Sequence, residues 1–289
     1  MLDWLIIGGG VIGTTISNYL VTAYGVTPAR VRVLDPHPAP LDRWTRFTAA
    51  TGMRYLRSPQ VHHIDINGRS LMGYSQDAAH NDERPFIAPL NRPSYSLFQA
   101  HAAHVIEQNH LADLRLQGAA HSMISTRGGY VVETDQGNIR TKRVVLAIGR
   151  TALNIPVWAE PSREQGAPVQ HIFERAFTLG SVRSNERVAV VGGGVTAGQV
   201  ALSLAERLHT PPVLITRHTL RQADFDSSPC WLGPKCSAWF RHATHPHRRK
   251  LIANARNQGT MPRDVYLDVR KGFKTSQLGH CQSEIKAVT

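Results

Sequence analysis

Apolar positions along this chain fall into short runs that stop at glycine, each followed by helical spacing and then a second apolar run. The run through Leu5-Ile6-Ile7 breaks at Gly8-Gly9-Gly10, residues 11–24 carry a helical pattern, and Val31-Arg32-Val33-Leu34 predicts a strand ending at Asp35. The same order returns later. Val188-Ala189-Val190-Val191 stops at Gly192-Gly193-Gly194, a helix follows, and Val213-Leu214-Ile215-Thr216 predicts the next strand. Between these units, residues 45–93 read as irregular, and Ser94–Asn109 as a helix with Leu97, Ala100 and His104 on one face. Strands are predicted at 113–117, 121–126 and 130–134, the last two joined by a Gly128-Gly129 turn, and an apolar strand closes on Ala147-Ile148-Gly149. The expected fold is α/β, with two Rossmann-like dinucleotide-binding domains at 1–150 and 186–289 and a linker at 151–185.

Composition narrows this little. A chain of 289 residues is long enough for two cores, and 42% hydrophobic with 19% charged residues describes a globular protein. Asp3 and the glycines argue for a buried strand at the N-terminus and against a signal peptide, and no apolar run is long enough to span a membrane. Three cysteines without CxxC spacing give no disulfide framework, which fits a reducing cytoplasm. The net charge of +12 is concentrated late: residues 217–274 hold twelve Lys/Arg against four acids. No nucleic-acid module accompanies them, so the basic surface is read as partly serving a phosphorylated cofactor.

The glycine turns carry the chemistry. Gly8, Gly10 and Gly13 match G-x-G-x-x-G, the pattern in which successive glycines allow the tight turn, the approach of a pyrophosphate and close helix packing. Gly9, Val11 and Ile12 complete the loop that offers backbone N–H groups at a helix N-terminus. Asp35, 22 residues after Gly13, stands where a carboxylate accepts from a ribose. Gly192, Gly194 and Ala197 match the G-x-G-x-x-A variant, with Gly193 and Thr196 in the same turn. There the next strand is followed by Arg217, with His218 and Arg221 nearby, and a guanidinium suits a 2′-phosphate; NADPH is expected over NADH. Two such turns, 184 residues apart, point to two dinucleotides in one chain; two NAD sites or a bound ADP are the alternatives.

With the strand meander and the Ala147-Ile148-Gly149 strand, the first domain resembles the FAD domain of the two-dinucleotide-binding flavoproteins. Thr51-Gly52-Met53-Arg54-Tyr55-Leu56-Arg57-Ser58-Pro59 and Arg92-Pro93-Ser94-Tyr95-Ser96-Leu97-Phe98 resemble the flavin-facing loop and following helix of the NADPH-dependent lysine/ornithine N-hydroxylases. The resemblance implies FAD in the first domain, NADPH in the second, and class B monooxygenase chemistry. NADPH reduces the flavin, O₂ adds to give a C4a-peroxyflavin, and one oxygen passes to an amine or other small nucleophile. It also implies that Arg54 and Gly149 lie at the cofactor; no catalytic side chain is assigned.

Other constellations carry less. Cys230 and Cys236 are not read as a redox pair, His242, His245 and His247 sit among cations that disfavour a metal, and His62-His63 reads as a packed or surface pair. Neither a G-x-S-x-G elbow nor a P-loop lysine is present. Relative to that superfamily, nothing after Lys274 resembles the returning part of the FAD domain beyond a short strand in 283–288. A shortened FAD domain is therefore expected, with a homo-oligomer or a separate C-terminal complement to cover it. The alternative function is a non-catalytic nucleotide-binding or interaction protein.

Overall fold

The computed structural model describes residues 1–77, 84–149 and 152–288, apart from the side chains of Leu232, Lys235 and Cys236. The chain divides into two compact units, Met1–Ala49 with Arg54–Asn154, and Ala50–Met53 with Ile155–Thr289.

The first unit is built on β1 (Leu2–Ile7), α1 (Val11–Asn18) and β2 (Val31–Asp35); the helix runs on into a wider turn over Tyr19–Ala23. After β2 come α2 (Asp42–Thr51), α3 (Ser70–Tyr74), the two-residue strands β3 (Phe86–Ile87) and β4 (Arg92–Pro93), and α4 (Tyr95–Gln108). Then follow β5 (Arg115–Gln117), β6 (Ala120–Thr126), β7 (Gly129–Thr134) and β8 (Gly137–Leu146). The sheet order is β5-β2-β1-β8-β7-β6. The long β8 does two jobs: its start pairs antiparallel with β7 (Thr134↔Gly137), and its end pairs parallel with β1 (Ile7↔Leu146).

Successive residues leave opposite faces of a strand. Hence Leu5 and Leu34 pack with Val132 in one core, while Ile6 and Val33 pack with Leu111 and Leu114 in another.

Four expectations are corrected here. Residues 45–93 are not irregular throughout: α2 was hidden because Arg43 and Arg46 interrupt its apolar pattern, yet Trp44 packs on Tyr95 and Phe98 with ring centroids 5.7 and 4.9 Å apart. In α4 the buried face is Leu97, Phe98, His101, Ala102 and Val105, with Ser94 capping Leu97 N–H at 3.1 Å; His104 is exposed. Leu111–Leu114 forms a 3₁₀ turn, which brings both leucines to the buried side. Consequently β5 lies at the far edge beside β2, and the meander is β6-β7-β8 alone.

In the second unit α5 (Ala159–Glu164) precedes β9 (Ala189–Val191), α6 (Val195–Ala205) and β10 (Val213–Thr216). Then come β11 (Arg221–Gln222), α7 (Pro234–His242), α8 (His245–Ala255), β12 (Thr260–Met261), α9 (Arg263–Lys274) and β13 (Gly279–Gln282). The sheet β13-β10-β9 is parallel, and β11 pairs with β12. Val190, Val200, Ala201, Leu204, Leu214, Met261, Val265 and Val269 form its core, against which Ile172, Leu179 and Val182 also pack.

The last strand lies at 279–282, ahead of the expected 283–288. Its residues, Gly-His-Cys-Gln, carry no apolar pattern because the strand sits at the sheet edge and is mostly exposed. Cys230 is disulfide-bonded, which overturns the expectation of no cystine; the expectation for Cys236 lies outside the described side chains, and Cys281 is free and exposed. Among the described residues no helix is long and apolar enough to cross a membrane.

Candidate nucleotide sites

In the first unit β1 ends at Ile7 and the chain turns at Gly8, whose φ of +110° suits glycine. Gly8 N–H donates to Leu34 O at 2.8 Å. A Cβ at Gly8 would stand 2.4 Å from Ala147 O, and one at Gly13 only 1.8 Å from Gly8 O. These two glycines are demanded by the protein's own packing. Gly10 is different. Nothing lies within 4 Å of where its Cβ would be, and it caps the N-terminus of α1. The open side of Gly10 thus meets the helix end that carries unpaired N–H donors and the positive end of the dipole. Val11 and Ile12 form the first turn, with Ile12 exposed.

Asp35 is fixed from below. Its carboxylate accepts Gly9 N–H at 2.6 Å on Oδ2 and His37 N–H at 2.8 Å on Oδ1, leaving lone pairs on both oxygens. Arg115, which is not among the candidates drawn from the sequence, donates from Nη2 to Asp35 O at 3.1 Å, and its buried Nη1 has no hydrogen-bond partner among the described residues. Its place in the chain hid it: Arg115 lies 80 residues after Asp35 and comes beside it only because β5 pairs with β2. Ala147 N–H donates to Ile7 O at 2.8 Å, so the end of β8 abuts the turn; Gly149 follows, exposed, with φ +63°. Gly8, Gly9, Gly10, Gly13 and Asp35 are therefore one constellation. Arg54 is not tied to it by backbone: its carbonyl accepts from Tyr95 N–H at 2.8 Å, and the residue is exposed.

A separate polar cluster lies inside this unit. His101, only 1% exposed, shares a 2.8 Å hydrogen bond between Nε2 and Ser70 Oγ, and its ring meets His63 and Tyr74 edge-on. Burial, then the neighbouring His63, hold its pKa down to about 4. His63 is buried too and is likewise lowered by desolvation, whereas His62 is exposed.

In the second unit Gly192 has φ +143°, its N–H donates to Ile215 O at 2.9 Å, and a Cβ there would lie 3.1 Å from that of Ala197. Gly194 caps α6. Thr196 sits half-buried in the first turn of that helix. A Cβ at Gly193 would meet the His218 ring at 3.1 Å, and one at Gly194 would be 3.6 Å from Gly259 Cα. Gly259, with φ +64°, belongs to a turn fastened by Arg221, whose Nη2 donates to Gln258 O at 3.1 Å. The turn brings His218 and Arg221 beside the glycines, while Arg217 is exposed at the end of β10. Arg221, Gln222, Ala253, Arg256 and Asn257 line an open cleft next to it. No acid stands between Arg217 and Ala223. Nothing in the sequence pattern pointed to the Gly259 turn, since it reaches the cradle across 65 residues of chain.

Among the described residues no group of three metal-ligating side chains occurs. The first cradle fits a pyrophosphate-bearing nucleotide by its bare, unobstructed Gly10 and its anchored carboxylate. The second fits by a helix start that no side chain caps and by its cationic rim.

No curated protein matches the chain. Among solved structures it is similar to ornithine hydroxylase (PvdA) from Pseudomonas aeruginosa, with a TM-score of 0.74 at 17% identity, covering 100% of this chain and 75% of that one. L-lysine 6-monooxygenase from Pseudomonas syringae gives 0.67 at 17% identity, over 100% and 74%. Cyclohexanone monooxygenase from Rhodococcus sp. Phi1, bound to NADP+, gives 0.56 at 21% identity, over 76% of this chain but 39% of that one. The chain thus spans well under half the length of the cyclohexanone monooxygenases. These likenesses fix the fold as that of two-domain flavin monooxygenases. The family model described as FAD-NAD(P)-binding matches residues 5–151, and that of the lysine and ornithine monooxygenases matches residues 98–268, more than half of the chain. This chain belongs to the L-lysine 6-monooxygenase/L-ornithine 5-monooxygenase family.

Proposed function

We propose that the protein is an FAD- and NADPH-dependent oxidoreductase of monooxygenase type, acting on an amine or other small nucleophile with O₂ as co-substrate. The observation that carries this reading is the open flank of Gly10 above the α1 terminus, beside a carboxylate held ready by two backbone N–H groups. In this reading residues 1–150 are the flavin portion and 186–289 the nicotinamide portion. Gly8 to Gly13 receive the FAD pyrophosphate, Asp35 accepts from its ribose, and Gly149 and Arg54 border it. Gly192, Gly193, Gly194, Thr196 and Ala197 form the NADPH cradle, and Arg217, His218 and Arg221 meet the 2′-phosphate. FAD, when bound, supplies the redox and oxygen chemistry.

The chain's own part is to fix the two nucleotides and present charge. Arg115 stiffens the β2 end from which Asp35 projects, and the α1 and α6 dipoles offset phosphate charge. NADPH dependence supports a cytoplasmic location, although the Cys230 cystine removes the compositional argument for that compartment.

A second reading, nucleotide binding without catalysis, draws support from apolar side chains left exposed at the first cradle, namely Ile12, Leu146 and Ile148. A C-terminal complement or a second copy would cover them. Absorbance separates the two. A yellow preparation that bleaches with NADPH under argon and recovers in air supports the enzyme; a colourless one that FAD fails to reconstitute supports the other.

A further inference from the structure

The helices α7 and α8 lie in a stretch of chain whose charges are all of one sign. Residues 227–262 contain six Lys/Arg and three histidines without a single Asp or Glu. α7 packs through aromatic rings on the 3₁₀ turn Pro229–Leu232 before it: Trp231 lies edge-on to Trp239 at 5.5 Å and to Phe240 at 5.7 Å between ring centroids. α8 has no buried residue at all. Arg248 fastens it, donating from Nε to Phe240 O at 3.0 Å, donating from Nη2 to Arg241 O, and lying over the Phe240 ring. Arg256 is engaged with Asp226. That leaves Arg241, Arg249 and Lys250 exposed on helices that contribute little to any core.

Two large apolar side chains are exposed among these cations, Trp239 and Ile252, each 47% accessible. On α8, His245, Arg249 and Ile252 recur at i, i+4 and i+7, so cation and isoleucine share one stripe of the helix. A polyanion such as DNA rewards the cations but gives an exposed isoleucine nothing to enter. A lipid headgroup region rewards both, because apolar side chains settle at the acyl boundary while Lys and Arg meet anionic phosphates.

We infer that the α7–α8 segment is a docking surface for anionic bilayers, attaching the protein peripherally through Arg241, Arg249, Lys250, Trp239 and Ile252. Nothing in the nucleotide reading requires this attachment, and its test is independent of flavin or turnover.

The test is co-sedimentation of the full chain with extruded vesicles. Binding is expected to mixed phosphatidylcholine–phosphatidylglycerol vesicles, to be absent with phosphatidylcholine alone, and to weaken with added salt. The double variant Arg249→Gln/Lys250→Gln removes two cations, each worth about fivefold in partitioning, and is expected to weaken binding about thirtyfold. Ile252→Ser is expected to weaken it by about tenfold on its own. Both sites are exposed, and circular dichroism at matched temperature checks that each variant stays folded. Absence of vesicle binding overturns the inference. So does equal binding to neutral vesicles, displacement of the vesicles by duplex DNA at comparable concentration, or displacement by saturating NADPH, which would assign the cations to nucleic acid or to the nucleotide cleft.

Discussion

At the scale of single residues, two glycines of one motif do different things. Gly13→Ala drives a methyl group into Gly8 O, which backbone rather than a yielding side chain holds in place. It should destabilise the first unit by about 3 kcal/mol or more and lower Tm with or without flavin. Gly10→Ala meets no atom of the protein. It should leave Tm of the flavin-free chain within about a degree, while flavin retention, read as the 450 nm to 280 nm absorbance ratio, falls at least tenfold. Asp35→Ala strands Gly9 N–H and His37 N–H without an acceptor, each worth about 1–3 kcal/mol when buried. Lower stability and lost flavin should therefore appear together. In the second cradle, Arg221→Ala should reduce the preference for NADPH over NADH by about tenfold in KM ratio. Arg217→Ala should reduce it less, since Arg221 is tied to the turn facing the glycines and Arg217 is not.

Elements set the second scale. The packing of α3 and α4 buries His101 with His63, and the folded unit holds both neutral. In the unfolded chain a histidine takes up its proton near pH 6.5. The folded state therefore refuses a proton that the unfolded state accepts, and stability declines as pH falls from 6.5 towards about 4, the folded value for His101. For His101 alone the loss amounts to about 3 kcal/mol across that window. Urea unfolding at stepped pH reads it, and His101→Leu should flatten the slope; an unchanged slope would remove the assignment to His101. Sequence patterns were informative about elements with one apolar face, such as β1, β2, α1 and α6. They misled where polar residues bear an element's buried side, as with Thr48 and Thr51 in α2, or where a strand is exposed, as in β13.

For the whole molecule, two units with separate cores imply that each nucleotide stabilises its own unit. Ligand at a hundred times its Kd adds about 2.7 kcal/mol to the state that binds it. Hydrogen exchange should therefore slow in β1, α1 and β2 with FAD, and in β9, α6 and β10 with 2′-phosphoadenosine nucleotides. Uniform slowing across both units by either ligand would contradict separate sites.

Both glycine turns, the acid that ends β2 and the cations after β10 were legible in the sequence alone, because a phosphate cradle is local: strand, bare turn and helix end are consecutive in the chain. What only the tertiary structure decided is the set of groups that reach those cradles from afar. Arg115 beneath Asp35, Ala147 against Gly8, and the Gly259 turn with Arg221 beside Gly193 and Gly194 all arrive through strand pairing and loop packing. Such approaches depend on which strands become neighbours, and the pairing energy that selects them is spread over a whole sheet and leaves no mark at the positions brought together.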